Sequence, residues 1–75
     1  MPEVTVYTTT PCPWCERAKA LLRKKGLEFE EINMARDPEG RQRLVELTGM
    51  MTFPQVIIDG RVVGGYDQLH AELVG

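Results

Sequence analysis

A strand, a helix and a second strand follow one another in residues 3–34, and this succession restricts the fold more than any other feature. The first strand is predicted over 3–7, where apolar residues alternate with polar ones. The helix is predicted to start at Pro13 and to stop at Gly26, since apolar residues recur at i, i+3 and i+7. The second strand is predicted over 27–34. Such a unit normally has parallel strands joined by a right-handed crossover.

The second half of the chain predicts a helix, a β-hairpin and a short last helix. The helix is expected over 37–49, with Asp37 as its N-cap. Asp59 and Gly60 separate two β-branched runs and indicate a two-residue hairpin turn, and 66–74 repeats the helical spacing. The predicted order is therefore β-α-β-α-β-β-α, an α/β fold whose simplest closure is a four-stranded mixed sheet flanked by helices.

Length and composition limit the classes of protein to which the chain can belong. Its 75 residues allow one domain, 1–75, and a hydrophobic content of 43% is normal for a folded one. A net charge of −2 lacks the strongly basic character of a nucleic-acid-binding domain. No run approaches the ~18 apolar residues of a membrane span, and the opening residues do not match a secretory signal. We therefore expect a cytoplasmic protein that contacts neither nucleic acid nor membrane.

Two cysteines, Cys12 and Cys15, stand at the start of the first predicted helix. A Cys-x-x-Cys pair beside a strand–helix–strand unit is typical of a thiol-disulfide redox centre. The N–H groups and the dipole of a helix N-terminus stabilise an anion, and the thiolate is the nucleophilic form of cysteine. Cys15 follows one helical turn later and can attack the mixed disulfide that Cys12 forms. We therefore predict Cys12 as the nucleophile and Cys15 as the resolving thiol.

The two residues between the cysteines carry no charge and are predicted to support the active site. Pro13 stiffens the turn. Trp14 is expected either to form an apolar wall beside the thiol or to pack into the core, and its place within the loop favours at least partial exposure.

Two other interpretations of the cysteine pair remain. A purely structural disulfide would close a loop of only a few residues and would stabilise the fold little. A structural zinc site needs four ligands, and the chain adds only His70, far away in the last predicted helix. A dimer or outside ligands would have to complete such a site, so we expect no metal.

With these elements placed, the chain resembles glutaredoxins over nearly its whole length. The resemblance rests on four stretches, CPWC (12–15), RAKALLRKKG (17–26), TFPQVIIDG (52–60) and GGYD (64–67). The usual active site of the family is Cys-Pro-Tyr-Cys, and its usual Thr-Val-Pro stands here as Thr52, Phe53 and Pro54. Jointly, in this order, the stretches are highly specific. The resemblance implies a thioredoxin fold with a cis peptide bond before Pro54.

The resemblance also implies where glutathione would bind. The loop 52–54 would lie against the active site, and the backbone at Phe53 would pair with the cysteinyl part of glutathione like an added strand. Gly65 would permit a close approach, and the N–H groups of Tyr66 and Asp67 would receive the γ-glutamyl carboxylate. The carboxylate of Asp67 would accept a hydrogen bond from the amine of the ligand. The alternative role of Asp67 is structural, as the N-cap of the last helix.

Two departures from the family pattern remove cations from this site. Many glutaredoxins carry a lysine three residues before the first cysteine, where Thr9 stands here as a supporting residue. Many also carry a cation or a glutamine just before Thr-Val-Pro, where this chain has Met50 and Met51. The two methionines either pack the loop or offer an adaptable apolar surface to protein disulfides. In the family the missing groups bind the glycyl carboxylate of glutathione, and the candidates to replace them are Arg36, Arg41 and Arg43.

The leading hypothesis is a glutathione-linked oxidoreductase that reduces protein disulfides and glutathione mixed disulfides. Glutathione would be a co-substrate without any tightly bound cofactor, and the partners would be disulfide-containing proteins such as ribonucleotide reductase. The missing cations point to a second hypothesis, in which thioredoxin reductase or another small thiol reduces the pair. A third hypothesis is an iron–sulfur carrier, in which two chains and two glutathiones hold a cluster through Cys12. A proline after the first cysteine usually accompanies catalysis in this family, so we expect a monomeric enzyme.

Overall fold

Within residues 2–74, which the computed structural model describes, the chain folds into a four-stranded mixed sheet with three helices. In chain order the elements are β1 (Val4–Thr8), α1 (Pro13–Lys24), β2 (Glu30–Asn33), α2 (Pro38–Thr48), β3 (Gln55–Ile58), β4 (Arg61–Gly64) and α3 (Tyr66–Leu73). The strand order is β2-β1-β3-β4, in which only β1 and β2 are parallel. The predicted element order and mixed sheet are confirmed. None of the three helices is long and apolar enough to cross a membrane.

The core lies between the sheet and the pair of helices α1 and α3. Val6 of β1 stands opposite Val56 of β3, and both are fully buried together with Leu22 of α1 and Leu69 of α3. Burial of one such side chain is worth about 1.5–3 kcal/mol. These contacts hold α1 and α3 on one face of the sheet, and α2 covers the opposite face with its buried residue Leu44.

The strand β2 is shorter than predicted. It begins only at Glu30, because its pairing with β1 starts where Thr5 stands opposite this residue. Leu27 and Phe29 precede the strand and pack against the core from the connecting segment. The predicted strand over 27–34 is therefore wrong at its start, although its apolar residues do contribute to the core.

Local signals locate the hairpin turn and the start of α2 correctly. Asp59 and Gly60 have φ values of 51° and 78°, the positive values that a two-residue hairpin turn requires. Asp37 caps α2, since its Oδ1 accepts from the N–H of Gly40 at 2.8 Å. These short-range predictions hold because each depends on residues close together in the chain.

Candidate active site

Cys12 caps the N-terminus of α1. Its backbone is extended, with φ −154° and ψ 91°, and the helix begins at Pro13, where a missing N–H costs nothing. The backbone N–H of Cys15 donates to Sγ of Cys12 at 3.1 Å. The helix thus directs a backbone donor, and the positive end of its dipole, at the sulfur predicted to be the nucleophile.

The two cysteines differ in their access to solvent. They are joined by a disulfide, so the structure shows the oxidised pair. Cys12 is half-buried, whereas Cys15 is only 1% exposed. An incoming thiol can reach Cys12 from solvent but not Cys15, and this difference suits a nucleophile followed by a resolving thiol.

A groove of about 240 Å³ beside Trp14 brings together two segments that are distant in the chain. One is the loop before β3, and the other is the start of α3. A Cβ added to Gly65 would lie 3.5 Å from the carbonyl oxygen of Pro54, so the two segments are in contact. The residues that the resemblance assigns to glutathione all line this groove: Thr52, Phe53, Pro54, Gly65, Tyr66 and Asp67.

The loop before β3 contains a cis peptide bond and is anchored by a buried glutamine. The bond between Phe53 and Pro54 is cis, as the resemblance predicts. The bond between Thr10 and Pro11 is also cis, and no pattern in the sequence predicts this. Gln55, which is 1% exposed, donates from Nε2 to the carbonyl oxygen of Met50 at 3.0 Å. The first residue of β3 therefore fixes the loop that precedes it.

The start of α3 differs from the prediction in its capping residue. Gly65 is the N-cap and Asp67 is the second helical residue, so the N-cap alternative for Asp67 is wrong. Oε1 of Gln68 accepts from the N–H of Gly65 at 3.0 Å, and this side chain closes the helix start instead. Asp67 remains exposed on the wall of the groove, in the first helical turn, where N–H groups lack partners within the helix.

Trp14 forms part of the groove wall. Its side chain is 50% exposed, so the prediction of partial exposure is confirmed and core packing is wrong. The ring lies 5.4 Å from that of Tyr66 between centroids. The guanidinium carbon of Arg17 stands 4.5 Å from the Trp14 centroid, within the range of a cation–π interaction. The wall is therefore aromatic, with a cation behind it.

Thr9 does not line this groove. It lies with Cys12 in a separate groove of about 370 Å³, which shares no lining residue with the first. Nδ2 of Asn33 donates to Oγ1 of Thr10 at 2.8 Å, so the end of β2 braces the loop that leads to Cys12. Of the described residues that line this separate groove, the cation is Lys19.

Lys19 belongs to a charged cluster that links α1 to the sheet. The residue is 9% exposed, and its Nζ lies 2.5 Å from Oε2 of Glu16 and 3.0 Å from Oε2 of Glu31. Oγ1 of Thr8 donates to the same Glu31 oxygen at 2.9 Å. The hydrogen bonds to Glu16 and Glu31 raise the pKa of Lys19, and the hydrogen bond from Lys19 lowers the pKa of Glu31 although partial burial opposes it.

The residues predicted to replace the missing cations lie elsewhere. Of the described residues that line the first groove, none is cationic. Arg43 borders a cavity next to α2, and Arg36 and Arg41 are exposed outside the groove. Met51 is 81% exposed, so loop packing is the wrong interpretation for it, whereas Met50 is half-buried.

A metal site would need several ligands close together. Within residues 2–74 no group of three or more His, Cys, Asp or Glu side chains is placed to hold a metal ion. His70 is exposed on α3, and its ring lies 6.0 Å from that of Tyr66. His70 therefore lies in the last helix, as the sequence predicts.

Three residues near the site escape the sequence-based reasoning. Gln68 stands three residues after its capped glycine, and this capping-box spacing is a usable signal. Lys19 and Gln55 offer no comparable signal, because their partners are set by how α1 meets β2 and by how the loop folds back on β3.

Comparisons with known proteins agree with this geometry. The family model described as Glutaredoxin matches residues 4–63. A glutaredoxin of Pseudomonas aeruginosa is 49% identical over 95% of this chain and 84% of its own length, and glutaredoxin 3 of Escherichia coli is 41% identical over 95% and 86%. The buckwheat glutaredoxin–glutathione complex superposes with a TM-score of 0.86 at 28% identity, over 95% of this chain and 67% of that one. Glutaredoxin from Brucella melitensis superposes with a TM-score of 0.82 at 49% identity, over 95% of this chain and 77% of that one. The predicted thioredoxin fold is thereby confirmed.

Proposed function

Since this chain belongs to the glutaredoxin family of thiol-disulfide oxidoreductases, we propose that it reduces protein disulfides and glutathione mixed disulfides with glutathione as co-substrate. Cys12 is the proposed nucleophile and Cys15 the proposed resolving thiol. The observation that carries the proposal is the groove beside Trp14, which joins the loop 52–54 to the start of α3.

The chemistry of this groove suits a small peptide that bears carboxylates and an amine. The loop before β3 can pair with a peptide backbone, and the first N–H groups of α3 can receive a carboxylate. Asp67 stands on the wall, where its carboxylate can accept from an amine. The buckwheat relative was solved in complex with glutathione, which supports placing the same ligand here.

Each half-reaction is a pair of thiol-disulfide exchanges. The Cys12 thiolate attacks one sulfur of the substrate disulfide, so a Cys12–substrate bond forms, the substrate bond breaks and the leaving thiolate takes up a proton. Cys15 then attacks Sγ of Cys12, which releases the second substrate thiol and leaves the disulfide that the structure shows. One glutathione thiolate then attacks Sγ of Cys12, which releases Cys15 and forms a mixed disulfide. A second glutathione thiolate attacks the glutathione sulfur of that mixed disulfide, which releases the Cys12 thiolate and gives glutathione disulfide as the oxidised product.

The test is the turnover of a glutathione mixed disulfide in an assay coupled to glutathione reductase. Wild type and Cys15→Ser should both be active, because Cys12 alone can exchange with this substrate. Cys12→Ser should be inactive, and the reduction of a protein disulfide should require both cysteines. A wild-type protein that is inert in this assay would refute the proposal.

One observation favours a second candidate, in which the reductant differs. The described lining of the groove holds no cation to bind the second carboxylate of glutathione. Reduction by thioredoxin reductase, or by another small thiol, would not need that cation. Measuring the rate of reduction of the Cys12–Cys15 disulfide by glutathione, by thioredoxin reductase and by other thiols separates the two candidates.

We also propose the partners, the compartment and the oligomeric state of the enzyme. Its partners would be disulfide-containing proteins such as ribonucleotide reductase, and it would act in the cytoplasm, where a dithiol pair can be kept reduced. Both cysteines of the reaction lie on one chain, so a monomer suffices. Sedimentation of the reduced protein tests this state, and a stable dimer would contradict it.

A further inference from the structure

A second groove between α1 and α3, here called the basic groove, adjoins the proposed glutathione groove. It has a volume of about 430 Å³ and is lined by Leu21 and Tyr66 together with three cations, Arg17, Lys24 and Lys25. Tyr66 also lines the proposed glutathione groove, so the two grooves meet at this side chain. The basic groove therefore begins on the side chain where the proposed glutathione groove ends.

The charge of the basic groove differs from that of the whole chain. The chain has 9 Lys and Arg against 11 Asp and Glu, which gives a net charge of −2. None of the described residues that line the basic groove is acidic. Within residues 2–74 the cations that form ion pairs are Lys19 and Arg61. None of the three cations of the basic groove has a carboxylate partner among these residues.

We propose that the basic groove docks an acidic and apolar segment that flanks the disulfide of a protein substrate. The proposal rests on the proposed function, because it concerns the polypeptide whose disulfide is reduced at Cys12. Apolar side chains of the segment contact Leu21 and the Tyr66 ring, and its carboxylates contact the three cations. Complementary charge of this kind raises the association rate and selects among partners.

The geometry of α1 sets where the carboxylates of such a segment must stand. Arg17 is linked to the active site through Trp14, whose ring it covers at 4.5 Å. With a rise of about 1.5 Å per residue, α1 places Arg17 about 7.5 Å and Lys24 about 18 Å from Cys12 along the helix axis. An extended segment advances about 3.3 Å per residue, so its carboxylates belong roughly two and five residues from the reacting cysteine.

Two peptides that differ only in charge test this proposal. Each contains one disulfide and an apolar flank, with either two glutamates or two lysines at those positions. We expect kcat/KM for the acidic peptide to exceed that for the basic peptide at least about tenfold at low ionic strength. The difference should shrink in high salt, because ions screen exposed charges. Equal turnover of the two peptides by the wild type would overturn the proposal.

Charge reversal locates the preference on the protein. Lys24→Glu/Lys25→Glu should invert the preference so that the basic peptide becomes the better substrate. The matched control is Arg36→Glu/Arg41→Glu, which changes the net charge equally but lies outside the basic groove. This control should keep the preference for the acidic peptide. If both double variants lose the preference equally, only the overall charge matters and the proposal is wrong.

Peptides in which serines replace the cysteines separate docking from chemistry. Trp14, the single tryptophan of the chain, reports binding through its fluorescence. Tighter binding of the acidic peptide supports docking, even if the wild type reduces no disulfide and the proposed function fails. Turnover of a glutathione mixed disulfide together with equal binding of both peptides overturns docking alone. A dimer that the charge reversal disrupts, without any peptide preference, would assign the groove to a second copy and also overturn it.

Discussion

The backbone N–H of Cys15 donates a hydrogen bond to Sγ of Cys12 over 3.1 Å. An N-cap is usually an oxygen of Ser, Thr, Asp or Asn, and here a sulfur occupies that position. The donor that would otherwise lack a partner at the helix start therefore acts on the proposed nucleophile. The same helix buries Cys15, so one element serves both proposed roles: it directs a donor at the proposed nucleophile and shields the proposed resolving thiol.

Cys12 is expected to react as a thiolate near neutral pH. In Cys15→Ser, the rate of alkylation by iodoacetamide should reach half its plateau below about pH 8.5, the value for a free cysteine, because the helix terminus stabilises the anion. In the matched variant Cys12→Ser, the buried Cys15 should react far more slowly. Mass spectrometry of timed samples measures both rates. A half-plateau at or above the value of free cysteine would contradict the role assigned to the start of α1.

The Lys19–Glu31 pair should stabilise the fold more than an exposed pair does. Glu31→Gln removes a charged hydrogen bond to a buried ammonium, and we expect a loss of about 1 kcal/mol in the free energy of unfolding at neutral pH. The matched control is Glu72→Gln, which breaks the exposed pair with Arg61 and should cost less than about 0.5 kcal/mol. Urea unfolding measures both, and equal losses would contradict the importance of burial.

The same cluster predicts a dependence of stability on pH. The pKa of Glu31 is lowered by its hydrogen bond from Lys19, so its contribution is present above its ordinary value of 4.5 and is lost as the pH falls through the lowered value. The pKa of Lys19 is raised, so its contribution is complete below 10.5 and is lost as the pH rises through the raised value. The stability gap between wild type and Glu31→Gln should therefore close in acid. A gap that persists there would show that the charge of Glu31 is not its source.

Gln55 should affect glutathione binding more than stability. Gln55→Leu removes the hydrogen bond to the Met50 carbonyl, but it also removes an Oε1 that has no partner within residues 2–74, so the cost in stability should be about 1 kcal/mol or less. The loop 50–52 loses its anchor, and the KM for glutathione should rise several-fold while kcat changes little. The exposed residue Gln42 gives the matched control Gln42→Leu, which should change neither constant. An unchanged KM in Gln55→Leu would mean that the anchor does not position the loop.

Gly64 should tolerate a side chain less well than Gly60. Both have positive φ values, 123° and 78°, but only at Gly64 would a Cβ meet another residue, at 3.0 Å from Cγ of Gln68. Gly60→Ala should cost about 1 kcal/mol, and Gly64→Ala about 2–3 kcal/mol. Because Gln68 caps α3, Gly64→Ala should also raise the KM for glutathione. Thermal unfolding and steady-state kinetics measure the two effects, and equal costs would show that the Gln68 contact is not important.

Local patterns predict much of this fold because they depend on neighbouring residues. The cap at Asp37, the turn at Asp59 and the start of α1 at Pro13 each follow from a few adjacent side chains. The start of β2 does not follow from adjacent side chains, since the register with β1 decides it. Phe29 packs against the core from the segment before the strand.

The candidate site follows from the sequence only in part. Spacing alone identifies Cys12 and Cys15, whereas the roles of the loop 52–54 and of Asp67 come from the family resemblance. The Lys19–Glu31 pair depends on how α1 crosses β2, which short-range patterns do not contain. The basic groove likewise appears only when α1 and α3 are placed side by side.

Glutathione bonded to Cys12 is expected to occupy the groove between the loop 52–54 and the start of α3. Cys15→Ser can be trapped as the mixed disulfide with isotopically labelled glutathione, and nuclear Overhauser effects then report which protons lie close to the ligand. We predict contacts from glutathione to the backbone at Phe53 and to the N–H groups of Tyr66 and Asp67. Contacts to Thr9 and to the groove that Thr9 and Cys12 line, without any to Phe53, Tyr66 or Asp67, would contradict this placement.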